Sequence, residues 1–400
     1  MKIVAIETIR PRSHPNVLFV AVHSDDGTVG LGEAFFGAEA VESYLHSTAA
    51  PVLFAMNDPS PERAASALAS YTGYAGAGVE TRGNGAVDFA LWDLLGKQAG
   101  KSLCELFGGP IRDTVPIYNT CAGPGYVSLS SRQRSSNWGL GSADDRPWED
   151  LQAFLTEPAR LARELLDEGI PGMKIWPFDL AAEASGGQSI AEADLRQGVA
   201  IFEAIRDEVG SDMEVMLELH GLWSRPAAEQ IIHAVTPLRP YWVEDPVRPD
   251  GIDAMAALRA NVDVRIAAGE TVVGRRMFLP LLSRAAIDVA TADAQWSGGL
   301  TEARKVASLA DTFGVPVAPH DCTGPVTLAC CLHLTQSQPN GLVQETVRAF
   351  LRTWYADFTT GLPAPADGRL SVTGAPGHGV ALRPELDDER LAVRRRSEAA

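Results

Sequence analysis

Between residues 115 and 345 the sequence repeats one rhythm. A short apolar run is followed by an amphipathic stretch, and the pair recurs. The apolar runs are "VPIYNT", "GMKIW", "EVMLEL", "YWVED", "VRIAAGE", "IDVATAD", "VPVAPH" and "GLVQET". Helical periodicity is predicted between them at 151–168, 191–209, 226–236, 252–260, 275–284, 299–313 and 324–336. Strands joined through helices run parallel, and a parallel sheet must be covered on both faces. Eight such units satisfy both demands by closing on themselves, which predicts an α/β fold of the (β/α)-barrel type.

The chain has 400 residues, more than such a barrel alone requires. Residues 1–114 predict a separate α+β unit. "VLFVAVHSDDGTVGLGEAFF" reads as two strands joined by a tight turn at Asp26-Gly27. Helices are expected at 40–56 and 60–72, and Val87, Ala90, Leu91, Leu94 and Leu95 form one stripe of a further helix. Residues 127–149 are a long polar insertion after the first barrel strand, either a functional lid or a disordered loop. The charged tail "RLAVRRRSEAA" predicts a frayed, solvated end.

Net charge is −17, which repels phosphate backbones and argues against a nucleic-acid partner. Small anionic substrates remain open to such a chain if cations gather locally, and a metal ion supplies them most simply. No apolar run approaches the roughly 20 residues of a membrane span. "MKIVAIETIR" enters a strand pattern without the features of a signal peptide, so the expected location is cytoplasmic, with no membrane partner. The cysteines are Cys104, Cys121, Cys322, Cys330 and Cys331. Their odd number and the lack of a CxxC pair predict packed, reduced thiols.

A barrel of this kind builds its active site at the C-terminal ends of its strands. Those ends carry Lys174, then Glu218 with His220, then Glu244, Glu270, Asp293, His320 and Glu345. Glu218, Glu244 and Glu270 are each 26 residues apart (218 to 244, 244 to 270), about one β/α unit, which predicts matching heights on adjacent staves. Any one of them alone reads best as a surface carboxylate. Three converging carboxylates repel unless a cation sits among them, and hard oxygen ligands favour Mg²⁺. Lys174 and His320 are the natural proton carriers, although each alone reads equally well as an ion-pair lysine or a rim histidine. Asp293 is placed to orient His320. Glu345 is expected either to stay protonated near the bound anion and donate a hydrogen bond, or to be a plain barrel-end carboxylate.

"GAVDFALWDLLGKQAGKSLCELFGG", "LELHG", "VEDP", "AAGE", "DAQWSGGLTEARK" and "APHDCTGPV" together resemble the mandelate racemase subgroup of the enolase superfamily, in order and spacing over nearly the whole chain. The resemblance implies a modified (β/α)7β TIM-type barrel at 115–345. It implies an α+β capping domain at 1–114 that is completed by residues 346–400. One Mg²⁺ would be held by Glu218, Glu244 and Glu270, with His320 and Asp293 as a dyad. The shared chemistry is removal of the proton α to a carboxylate, and relatives suggest a homo-oligomer.

Three departures shape the expectation. Many relatives end strand two with Lys-x-Lys, and here Lys174 is followed by Trp176, which argues against a symmetric two-base racemase. Lys174 then neutralises the substrate carboxylate. The first ligand is Glu218 where aspartate is commoner. His220 resembles the histidine of galactonate- and mannonate-type dehydratases, which either protonates the departing β-hydroxyl or joins the metal site. The expected activity is a Mg²⁺-dependent hydro-lyase that dehydrates a small-molecule sugar acid to a 2-keto-3-deoxy acid. The alternatives are a racemase, epimerase or cycloisomerase using the same enolate, and a non-catalytic sugar-acid binder or scaffold. Specificity is expected to rest on residues 11–24, 35–38 and 127–149, and on Trp176 and Trp296 as substrate-binding residues.

Overall fold

The computed structural model describes residues 1–69, 78–126 and 147–400. The expected insertion therefore lies outside the described residues from 127 to 146. Strands β1 (Ile3–Pro11), β2 (Val17–Ser24) and β3 (Val29–Phe35) form an antiparallel meander. Helices α1 (Ala38–Tyr44), α2 (Ala50–Phe54), α3 (Pro61–Leu68), α4 (Val79–Ala99) and α5 (Leu103–Leu106) complete this N-terminal unit. The long helix α4 lies directly on β3. A Cβ at Gly30 or Gly32 would come within 1.9 Å of the carbonyl oxygens of Ala90 and Ala86. The alternating glycines of "VGLGEAF" therefore bring helix and sheet into backbone contact.

Seven parallel strands build the barrel wall: β4 (Val115–Thr120), β5 (Gly172–Ile175), β6 (Glu214–Glu218), β7 (Val243–Glu244), β8 (Ile266–Ala268), β9 (Val289–Ala290) and β10 (Gln344–Thr346). The expected seventh stave, "VPVAPH", is reduced to single bridges. Val317 pairs with Ala290 on one side and Gly341 on the other, which closes the circle. Inside the closed wall Tyr118, Met216, Trp242, Ala267, Val289, Ala318 and Val343 pack together, so the barrel has a core and not a pore.

Helices α6 (Asp150–Thr156), α7 (Pro158–Asp167), α8 (Asp179–Ser185), α9 (Glu192–Val209), α10 (Arg225–Val235), α11 (Ile252–Ala260), α12 (Gly274–Ser283), α13 (Leu300–Thr312) and α14 (Pro325–Ser337) surround it. The single helix expected at 151–168 is two helices. Pro158 pushes Glu157 out of the helical region, to φ −139°, and the helix restarts at the proline.

After the barrel come α15 (Arg348–Leu351), α16 (Trp354–Phe358), and the short strands β11 (Thr359–Thr360), β12 (Arg369–Leu370) and β13 (Ala381–Leu382). The tail is not frayed as the charge pattern suggested. Ala392–Glu398 is β14, which pairs antiparallel with β1 from Ala5–Glu398 to Pro11–Ala392. Its arginines are edge-strand charges. Arg394 meets Glu7 at 2.9 Å and Arg396 meets it at 3.6 Å. Charge on an edge strand blocks further strand addition, so it marks a sheet edge here. All five cysteines are buried and unpaired, as expected. Among the described residues no helix is long and apolar enough to cross a membrane.

Candidate active site

Glu218 and Glu244 end β6 and β7 and stand directly opposite each other in register. Glu270 does not share that height. Ala267 is the partner of Glu244, and Glu270 follows in the turn after β8. The three carboxylates nevertheless converge, each offering an oxygen within 4.8 Å of the others. Glu218 Oε1 accepts a 2.6 Å hydrogen bond from the backbone N–H of His220, which adopts a left-handed φ of 50°. Glu244 Oε2 accepts from Trp242 Nε1 at 3.0 Å and Lys174 Nζ at 3.1 Å. Of the remaining oxygens, both buried, Glu244 Oε1 has no hydrogen-bond donor and Glu218 Oε2 faces only the Lys174 ammonium, at 3.5 Å.

Burial pushes the Glu244 carboxyl up to about 7, and burial also raises Glu270. Crowded, half-satisfied carboxylates of this kind fit a hard divalent cation that would neutralise them together.

Lys174 lies in β5, one residue before its end, and reaches into the same cluster. Its ammonium is 3.0 Å from Glu345, 3.1 Å from Glu244 and 3.5 Å from Glu218. Burial disfavours its charge, but Glu244 and Glu345 outweigh that and hold it well above the usual lysine range. With these carboxylates around it the ammonium is held charged, which suits a group that neutralises a substrate carboxylate.

Of the two readings open for Glu345, the surroundings favour the plain carboxylate. Burial would raise it, but Lys174, His320, the Thr120 hydroxyl and the Asp321 N–H bring it down to about 2. It is an ionised acceptor that anchors Lys174.

His320 and Asp293 come together as expected, with Nδ1 2.9 Å from Oδ2. The other Asp293 oxygen accepts from the N–H groups of Gln295 and Trp296, both at 2.7 Å. His320 Nε2 faces Glu270 at 3.4 Å. Burial works against its charge, and Glu270, Glu345 and Asp293 favour it; a cation held by Glu270 would offset the first of these and leave the imidazole able to act as a base.

His220 forms a second such pair. Its Nδ1 lies 2.7 Å from Oδ2 of Asp179, the first residue of α8. Burial opposes its charge, and Asp179 and Glu218 override burial to raise it to about 9. Asp179 was missed in the sequence. It is in plain view in "KIWPFD", but a loop has no periodicity to show which way its side chain turns.

Lys174, His220, Glu270, His320 and Glu345 line one cavity of about 620 Å³. Trp176 meets His220 edge-on at 5.8 Å, and Trp296 lies 5.1 Å from His320. Phe36, from the expected 35–38 loop, reaches Trp296 at 5.7 Å and lines the cavity with Tyr126. The segment 11–24 does not contribute. Most of it is β2, and none of it is among the described lining residues.

Known proteins agree with this architecture. Residues 157–386 match the family described as enolase C-terminal domain-like, and residues 4–108 match the mandelate racemase / muconate lactonizing enzyme N-terminal domain. A solved enolase of the mandelate racemase subgroup from Agrobacterium tumefaciens superposes with a TM-score of 0.88 at 40% identity, covering 100% of this chain and 99% of that one. A D-galactonate dehydratase of Variovorax paradoxus is 27% identical over 98% of this chain and 94% of its own length. A D-gluconate dehydratase of Thermoproteus tenax is 30% identical over 78% of this chain, a match that spans 56% of that relative. With both domains matched and the barrel closed over a three-glutamate cluster, the chain belongs to the mandelate racemase and muconate lactonizing enzyme family of the enolase superfamily.

Proposed function

We propose that this protein is a Mg²⁺-dependent sugar-acid dehydratase. The observation that carries the reading is the pair of histidine–aspartate couples flanking the glutamate cluster, His220 beside Glu218 and His320 beside Glu270. Elimination of water needs a base for one proton and an acid for the departing hydroxyl. The relatives named for galactonate and gluconate dehydration support the same class.

Glu218, Glu244 and Glu270 would hold Mg²⁺, which when bound supplies a Lewis acid for charge building on the substrate carboxylate. Lys174 adds a fixed positive charge beside that carboxylate. His320 Nε2 takes the C2 proton, and Asp293 fixes the tautomer that leaves Nε2 facing the substrate. The C2–H electron pair passes into the enolate. It then forms the C2=C3 bond as the C3–O bond breaks. The oxygen leaves with that bond's electrons, takes a proton from His220 and departs as water. The enol product tautomerises to the 2-keto-3-deoxy acid.

Two imidazoles around one substrate also suit C2 epimerisation, and product analysis separates the two outcomes. The test is a library of aldonic and aldaric acids with Mg²⁺, read by 2-keto acid formation and by C2 exchange in D₂O. A turned-over acid is expected, with His320→Asn lowering both signals by about 10²–10⁴-fold. Intact exchange and turnover in that variant would show that His320 is not the base.

A further inference from the structure

We infer that Asp179 is the positioning residue for His220 and that the pair serves only the C3–O cleavage step; this rests on the dehydratase reading above. Asp179 is fully buried, and its Oδ2 is 2.7 Å from His220 Nδ1. Its Oδ1 is buried with no hydrogen-bond partner. A buried carboxylate with so few donors is stable only if the one facing it presents an N–H. Nδ1 of His220 therefore carries a proton, and delivery of a proton to substrate falls to Nε2.

Three restraints orient the imidazole. The backbone of His220 is held left-handed by its N–H bond to Glu218 Oε1. Such a backbone is sparsely populated by residues other than glycine and persists where surrounding structure imposes it. Trp176 packs edge-on against the ring at 5.8 Å, and Asp179 fixes its rotation. Both His220 and Trp176 line the cavity, so the oriented ring is on the substrate's side of the barrel mouth. The other couple is built differently. Asp293 shares its charge with two backbone N–H groups as well as His320, and His320 faces Glu270 whereas the His220 backbone bonds Glu218.

The separation of the two couples predicts a separation of the two steps. Removing Asp179 disturbs proton delivery to the leaving oxygen and leaves proton removal at C2 to His320. Asp179→Asn and His220→Asn are compared with the Mg²⁺-loaded wild type in D₂O, using an acid from the library that the wild type dehydrates. Both variants are expected to exchange C2–H within about 3-fold of wild type while 2-keto acid formation falls about 100-fold. Asp179→Glu is expected to recover part of the dehydration. General damage to the fold lowers both signals together, so equal losses overturn the assignment, as does unchanged dehydration.

A wild type that neither exchanges nor dehydrates any acid overturns the dehydratase reading and this one with it. A working wild type with an indifferent Asp179→Asn overturns only the role of Asp179. A second readout needs no substrate. A downfield imidazole N–H proton resonance, assigned by its loss in His220→Asn, is expected to disappear in Asp179→Ala. Its persistence there overturns the pairing.

Discussion

Glu244 has its two oxygens in different surroundings. Oε2 is held by the Trp242 indole N–H and the Lys174 ammonium, while Oε1 is buried without a donor. A cation bound between the glutamates would supply what Oε1 lacks. Glu244→Gln removes the charge and keeps the shape. Losing partners of metal ligands weakens metal binding 10–100-fold, and losing a ligand is expected to weaken it at least about 100-fold. Mg²⁺ at 100 times its dissociation constant should stabilise the wild type by about 2.7 kcal/mol. Thermal unfolding with and without Mg²⁺ checks both statements, and an equal Mg²⁺ shift in Glu244→Gln removes Glu244 from the ligand set. At this scale the sequence located Glu218, Glu244, Glu270, Asp293 and His320, because strand direction alone decides what stands at the barrel mouth. It left the protonation of Glu345 open, because that depends on Lys174, which is distant in the chain and 3.0 Å away in space.

Helices α13 and α14 begin just after the loops that carry Asp293 and His320, and carboxylates of the N-terminal unit cap both. Asp88 of α4 accepts the Thr301 N–H at 2.9 Å, at the start of α13. Glu33 of β3 accepts the N–H groups of Val326 and Thr327 at 3.1 and 3.3 Å, at the start of α14. Exposed donors and the helix dipole favour an anion at these ends. The glycines before each helix make room. A Cβ at Gly299 would lie 2.4 Å from Asp88, on a backbone with φ of 100°, and one at Gly324 would lie 2.1 Å from the Glu33 carboxylate. Gly299→Ala is therefore expected to destabilise the protein by about 2–4 kcal/mol, from overpacking plus a disfavoured φ. Urea unfolding measures it, and a loss below about 0.5 kcal/mol contradicts the close approach. The glycines of "DAQWSGGLTEARK" and "APHDCTGPV" were legible as a pattern, but the carboxylates they admit were not, since those come from residues 33 and 88.

The same caps join the two halves of the molecule and make their union sensitive to pH. Burial, against three hydrogen bonds, pushes Glu33 from the ordinary 4.5 up to about 7. A carboxyl raised on folding binds its proton more tightly in the folded state. The stability it contributes is complete below about pH 4.5 and is lost as pH rises through about 7. Fully developed, that loss is on the order of 3 kcal/mol. Glu33→Gln cannot ionise, so its stability relative to wild type is expected to improve by about that amount between pH 4.5 and pH 8. Urea midpoints at both pH values check the sign, and a constant difference shows that Glu33 does not titrate in this range.

The sequence by itself determined the barrel, its order of staves and most of the residues at its mouth, because hydrophobic period and strand direction are local properties. Only the tertiary structure decided that the arginine-rich tail is an edge strand on β1, that Lys174 is enclosed by Glu218, Glu244 and Glu345, and that His220 has a partner in Asp179. Each of these depends on charges and hydrogen-bonding groups that the fold brings within about 3 Å, where Coulomb and hydrogen-bond energies outweigh anything that spacing along the chain encodes.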